Sequence, residues 1–169
     1  MKRVEMNDPV ALREEGKAQQ RKGHYERAFE YYTKAAKLGE KEAHFLLSTL
    51  YLNGHGVEKD RQKSTYHQEE AAIGGHPGAR YVLGQHESFF GNADRAVRHF
   101  VIAATQGHDR AINALTEMFK EGYVEKDDLA AALRAHKAAV DATKSPQREA
   151  EEEFQRARLA RKLENTNLS

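Results

Sequence analysis

The stretch "AAKLGEKEAHFLLSTLYLNGHGVEKD", Ala35–Asp60, decides the fold, because its markers return elsewhere in the chain. Ala-Ala pairs stand at Ala35-Ala36, Ala71-Ala72, Ala103-Ala104 and Ala138-Ala139, spaced by 36, 32 and 35 residues. Behind the first three pairs, at fixed offsets, come Gly39, Gly75 and Gly107, then Ala43, Ala79 and Ala111, then Leu47, Leu83 and Leu115. Columns that agree across three units define an internal repeat, and such a period implies a stacked array. The closing "VEKD" at Val57 is spelled again at Val124, 67 residues on and close to two periods. A recurring structural unit explains this echo better than a duplicated functional loop.

Each column has a physical task. The small alanine pair lets two helices approach where a bulkier side chain would clash. Gly39, Gly75 and Gly107 fall just past a helix, where a left-handed turn is easiest without a Cβ. Ala43 and Leu47, four apart, share one face of the following helix. Each unit therefore reads as a hairpin of two short antiparallel helices, which closes its core only by stacking on its neighbours. Helices are expected near 9–21, 24–38, 40–53, 60–73, 77–89, 92–106, 108–121 and 126–142. Asp8 with Pro9 is a good start signal. Ser145 with Pro146 restarts a ninth, charged helix to about Leu163, expected to cap the last hairpin. The expected fold is all-α, a right-handed α-solenoid of stacked antiparallel helical hairpins with a C-terminal capping helix. The array spans residues 8–142 in about four hairpins, and the cap residues 145–165.

Bulk properties agree. The chain has 169 residues, 39% hydrophobic and 31% charged, rich in helix formers and without runs of period two. A net charge of +1 argues against a dedicated nucleic-acid surface. With no cysteine there is no disulfide, thiolate metal site or cysteine nucleophile. No apolar run approaches the roughly 20 residues that span a bilayer, and the start lacks the apolar core of a secretory signal. An intracellular protein, cytoplasmic or nuclear, and monomeric, is expected.

These columns resemble the Sel-one-like repeat, a relative of the tetratricopeptide repeat. Residues 35–60 come close to the whole signature, with the alanine pair, Gly39, Ala43, Leu47, Tyr51 and the Gly-x-Gly-Val-x-x-Asp loop. The units at Glu14–Ala35 and Gly78–Phe100 have the short inter-helix turn of tetratricopeptide repeats, so short-loop and long-loop hairpins alternate. Departures are visible. Glu87 stands where Tyr51 and Phe119 stand in other units, implying a weaker contact or a paired carboxylate. The aromatic near the end of the second helix is read at Tyr31 and Phe100, with His67 in its place in one unit. "LAAALRAHKAAV" offers Leu133 in a shifted position. The arrangement also resembles algal proteins in which the repeats follow a RING-type zinc module. That resemblance implies the recognition part of a ubiquitin ligase, or a stand-alone relative.

Catalytic chemistry finds little footing. The nine histidines are scattered about one per helix or loop, with no HExxH motif. His76 and His108 are equivalent, as are His67 and His99, which duplication explains without a metal. "NGHGVEKD" lacks the Lys-Ser/Thr of a phosphate loop, and Asp60 reads as a helix cap. No GxSxG elbow occurs. The basic "RARLARK" at Arg156–Lys162 lies beside "EAEEE", so a self-compensating helix is favoured over an import signal or an anionic-surface patch. No catalytic residue, metal or cofactor is expected.

What remains is surface. First helices of stacked hairpins line the concave side. By register, Arg13 and Lys17 face the groove in the first unit, Phe45, Thr49 and Leu52 in the second, Tyr81 and Gln85 in the third, and Asn113 and Glu117 in the fourth. The expected partner is an extended peptide or helix with an acidic end and an apolar anchor held by Phe45 and Tyr81. The competing reading is that Phe45 and Tyr81 only pack against neighbouring first helices. The expected function is a protein–protein interaction scaffold or adaptor, without nucleic acid or membrane.

Overall fold

A computed structural model describes residues 8–143. They form α1 (Pro9–Arg21), α2 (Tyr25–Lys37), α3 (Lys41–Asn53), α4 (Arg61–Ile73), α5 (Pro77–Phe89), α6 (Ala93–Thr105), α7 (Asp109–Lys120) and α8 over residues 126–143, with no strand among them. The expected ninth helix and the 145–165 cap lie outside the described residues. Each helix packs chiefly against the helices before and after it, as in a one-dimensional stack. The fold is an α-solenoid of antiparallel hairpins.

The first helices start alike. Gly39, Gly75 and Gly107 take φ of +83°, +79° and +82°, which turns the chain sharply out of α2, α4 and α6. The next residue then caps the following helix with its own side chain. Glu40 accepts from Ala43 N at 2.8 Å, His76 Nδ1 from Ala79 N at 3.0 Å, and His108 Nδ1 from Ala111 N at 3.3 Å. Asp8 and Asp60 cap α1 and α4 as expected.

Hairpin interiors alternate between two devices. In the short-loop hairpins a glycine faces an aromatic ring. A Cβ on Gly16 would stand 2.5 Å from Tyr32 Cε1, and one on Gly84 would stand 2.6 Å from Phe100 Cε1. The interior aromatic of α2 is thus Tyr32, not Tyr31, and its counterpart in α4 is Gln68, one residue past His67. In the hairpin of α3 and α4, Ser48 replaces the glycine, and the buried Ser64 hydroxyl donates to Ser48 O at 2.9 Å. Glu87 is a paired carboxylate, 3.3 Å from Arg95 and accepting from Asn92 Nδ2 at 2.8 Å.

The long loop before α4 folds back on the preceding hairpin. At Gly56 a Cβ would lie 2.4 Å from the Tyr25 carbonyl carbon, and His55 stacks on Tyr25 at 4.8 Å. The two copies of VEKD are not equivalent. Asp60 caps α4, whereas α8 begins at residue 126, so Asp127 falls in its first turn and Glu125 O accepts from Leu129 N. What recurs is the valine, half-buried at Val57 and buried at Val124. In α8 the packing residues are Leu129 and Ala132, while Leu133 is 46% exposed.

The core lies in three clusters, in α1–α3, across α4–α5, and from α6 to α8. The middle one is thin: Ala71, Ala72 and Ala79, flanked by Phe45 and Leu83.

Candidate partner-binding surface

The residues picked out by register sit on α1, α3, α5 and α7, and in the first three units the first of each pair has a structural job. Arg13 reaches Glu40, the cap of α3, at 3.3 Å. Phe45 stacks on the ring of His76, the cap of α5, with centroids 4.3 Å apart. Tyr81 stacks on His108, the cap of α7, at 4.8 Å. A side chain from each of α1, α3 and α5 therefore rests on the start of the next first helix. Packing against neighbours describes the contacts of Phe45 and Tyr81, although both remain half-buried rather than sealed. Asn113, on α7, is exposed.

The second residues differ. Lys17 lies 3.5 Å from Glu42 and 3.6 Å from Glu14, so the charge of α1 is matched locally. Burial works against the Glu42 carboxylate, but hydrogen bonds from His76 and Lys17 outweigh it and hold its pKa below the usual range. The Thr49 hydroxyl donates to Phe45 O at 3.2 Å and is occupied by its own helix. Gln85 and Glu117 are exposed, and Glu117 pairs with Lys120 at 2.8 Å.

The structure gathers Tyr81, Gln85 and Glu117 around one cleft of about 390 Å³ between α5 and α7, floored by Phe100. Arg13, Lys17, Phe45, Thr49 and Asn113 do not line it. Two residues that the register missed do: Phe89, 84% exposed, and Glu121. Phe89 was visible as half of the "FF" before Gly91, an apolar pair beyond the last core position of α5. A larger cleft of about 500 Å³, where Gly56 meets the start of α2, is walled mostly by a turn and exposed side chains and offers no comparable anchor. Among the described residues no three potential ligands converge on a metal position, and no helix is long and apolar enough to cross a membrane.

The Sel1 repeat family model matches residues 14–40, 41–76 and 77–108, more than half of the chain. The chain belongs to the Sel1 repeat family. Sel1 repeats are a helical scaffold for protein–protein contacts; the cleft takes α5 from the third matched repeat and α7 from just beyond it. Chitin synthase regulatory factor 4 of Schizosaccharomyces pombe is 36% identical over 86 residues, which is 50% of this chain and 14% of that protein. A Sel1 repeat protein from Oxalobacter formigenes superposes with a TM-score of 0.67 at 26% identity, covering 82% of this chain and 60% of that one. The protective antigen c5321 of uropathogenic Escherichia coli, described as displaying an SLR fold, gives 0.58 at 25% identity, covering 79% and 30%. The match thus spans about a seventh of that relative's length.

Proposed function

We propose that this Sel1 array is an interaction scaffold that receives a partner peptide or helix in the cleft between α5 and α7. The observation that carries the reading is the meeting of an almost fully exposed Phe89 with two carboxylates, Glu117 and Glu121, around one hollow. Phe89 and Tyr81 would take an apolar anchor, Gln85 would bond the partner's backbone, and Glu121, beside the Lys120-paired Glu117, would take a neighbouring Lys or Arg. This polarity is opposite to the acidic-ended partner expected from Arg13 and Lys17, because glutamates already neutralise those two charges. The partner is protein, not nucleic acid or membrane, and the array acts as a monomer.

A regulatory role, such as the name of the fission yeast relative states for that protein, fits a scaffold of this kind. The ubiquitin-ligase reading rests on sequence resemblance alone, and the repeats support only its recognition half.

Selection of peptides from a random display library against the whole chain tests the proposal. The expected consensus pairs a bulky apolar residue with Lys or Arg. Binding should fall at least tenfold in Phe89→Ala and in Glu117→Lys/Glu121→Lys. A consensus rich in Asp and Glu, or peptides indifferent to both variants, would overturn it.

A further inference from the structure

The second-helix face carries a different cavity, of about 360 Å³, between α2 and α4 with α3 beneath, walled by Phe29, Leu47, Tyr51 and Tyr66. Its polar lining is Thr33, Lys37, Glu70 and two histidines, His44 and His67, whose hydrogen bonds fix the histidine protons. Ala36 O can only accept, so His44 Nε2, at 3.2 Å, carries a proton. Neutral His44 then has a bare Nδ1. His67 Nδ1, 3.0 Å away, must therefore be the donor between them. Neutral His67 is left with a lone pair on Nε2, which no side chain of the described residues occupies and which is not sealed from solvent.

The pair is built to share a proton. With the Nδ1 atoms 3.0 Å apart and the ring centroids 5.2 Å apart, the two nitrogens point at each other and not at a common third point, as metal ligands would. The ring of His67 is held parallel to Tyr51 at 5.6 Å and edge-on to Tyr66 at 5.1 Å. In the next repeat Arg80 and His99 take the places of His44 and His67. There Arg80 Nε and His99 Nδ1 are buried without a partner, so the relay exists in this unit and not in that one.

We infer that this cavity is a second docking site, which takes from a partner protein an aromatic side chain that donates a hydrogen bond, an indole or a phenol, to Nε2 of His67. Ring-lined walls select a flat apolar group, and the bare nitrogen selects a donor. A carbonyl or carboxylate would set lone pair against lone pair. Lys37 and Glu70 at the rim carry opposite charges, so net charge is not what selects the occupant. The inference uses none of the residues of the α5–α7 cleft and stands or falls separately from it.

Titrating the whole chain with indole and with 1-methylindole, followed by NMR of the His67 and Tyr51 rings, tests this. At pH 7.5 indole should bind roughly tenfold more tightly, the worth of one hydrogen bond. The preference should vanish in His67→Phe, which keeps a ring and removes the acceptor. N-acetyltryptophanamide should bind at least as well as indole, because a partner protein presents the ring on a backbone. Equal binding of indole and 1-methylindole by the wild type would overturn the inference. So would no binding at 10 mM, shifts away from Tyr51 and His67, or exclusion of the amide.

Discussion

Gly84 and Gly39 are both glycine for different reasons, and substitution separates them. Gly84 is helical, but a Cβ there would press on Phe100. Gly39 has open space around it and a φ of +83°. Gly84→Ala should cost about 1–3 kcal/mol by overpacking, and part of that should return in Gly84→Ala/Phe100→Leu. Gly39→Ala should cost about 1 kcal/mol through its backbone alone, with nothing for a second substitution to relieve. Urea unfolding of the four chains checks both statements. Histidine makes a pH prediction. Burial, with His44 nearby, pushes the His67 pKa down to about 4, and burial also lowers those of His99 and His108. A depressed histidine pKa means that the unfolded chain takes up protons first on acidification. The stability from neutral His67 is complete above about pH 6.5 and lost as pH falls toward 4. The loss should be on the order of 1–2 kcal/mol, discounted for the ring's partial exposure, and missing from the pH profile of His67→Gln.

Loops and caps set where the helices begin. Asp60 and Asp127 end identical tetrapeptides, yet only Asp60 accepts a backbone hydrogen bond as a cap, from Lys63 N at 3.0 Å. Asp60→Ala should therefore lower stability by about 1 kcal/mol, and Asp127→Ala by less than about 0.5, in parallel thermal melts. The sequence showed that the tetrapeptide recurs but not that its frame shifts, since a helix start depends on what the preceding turn leaves unpaired. The eight described helices were legible to within about two residues, because alanine, glycine and leucine at fixed offsets leave a hairpin little freedom. The column next to Tyr32 was misassigned by one residue. Tyr31 and Tyr32 are chemically alike, and only the space opposite, opened by Gly16, tells them apart.

Along the whole molecule, the core is continuous only as a chain of neighbours. The α4–α5 junction rests on three alanines, and Phe45 crosses it to stack on His76. Phe45 is thus explained by the stack before any partner is invoked. That is why register alone could name first-helix residues but not tell which were free: a groove residue and an inter-repeat contact have the same periodicity. What distinguishes the α5–α7 cleft is exposure beyond the contact, at Phe89, together with uncompensated acid at Glu121. A bound peptide should lie along α5 and α7. Backbone and side-chain NMR of the labelled chain, titrated with the peptide selected by display, reads this directly. The predicted result is a contiguous set of shifts at Tyr81, Gln85, Phe89, Glu117 and Glu121. Shifts confined to α2, α4 or α6, with α5 and α7 silent, would contradict it.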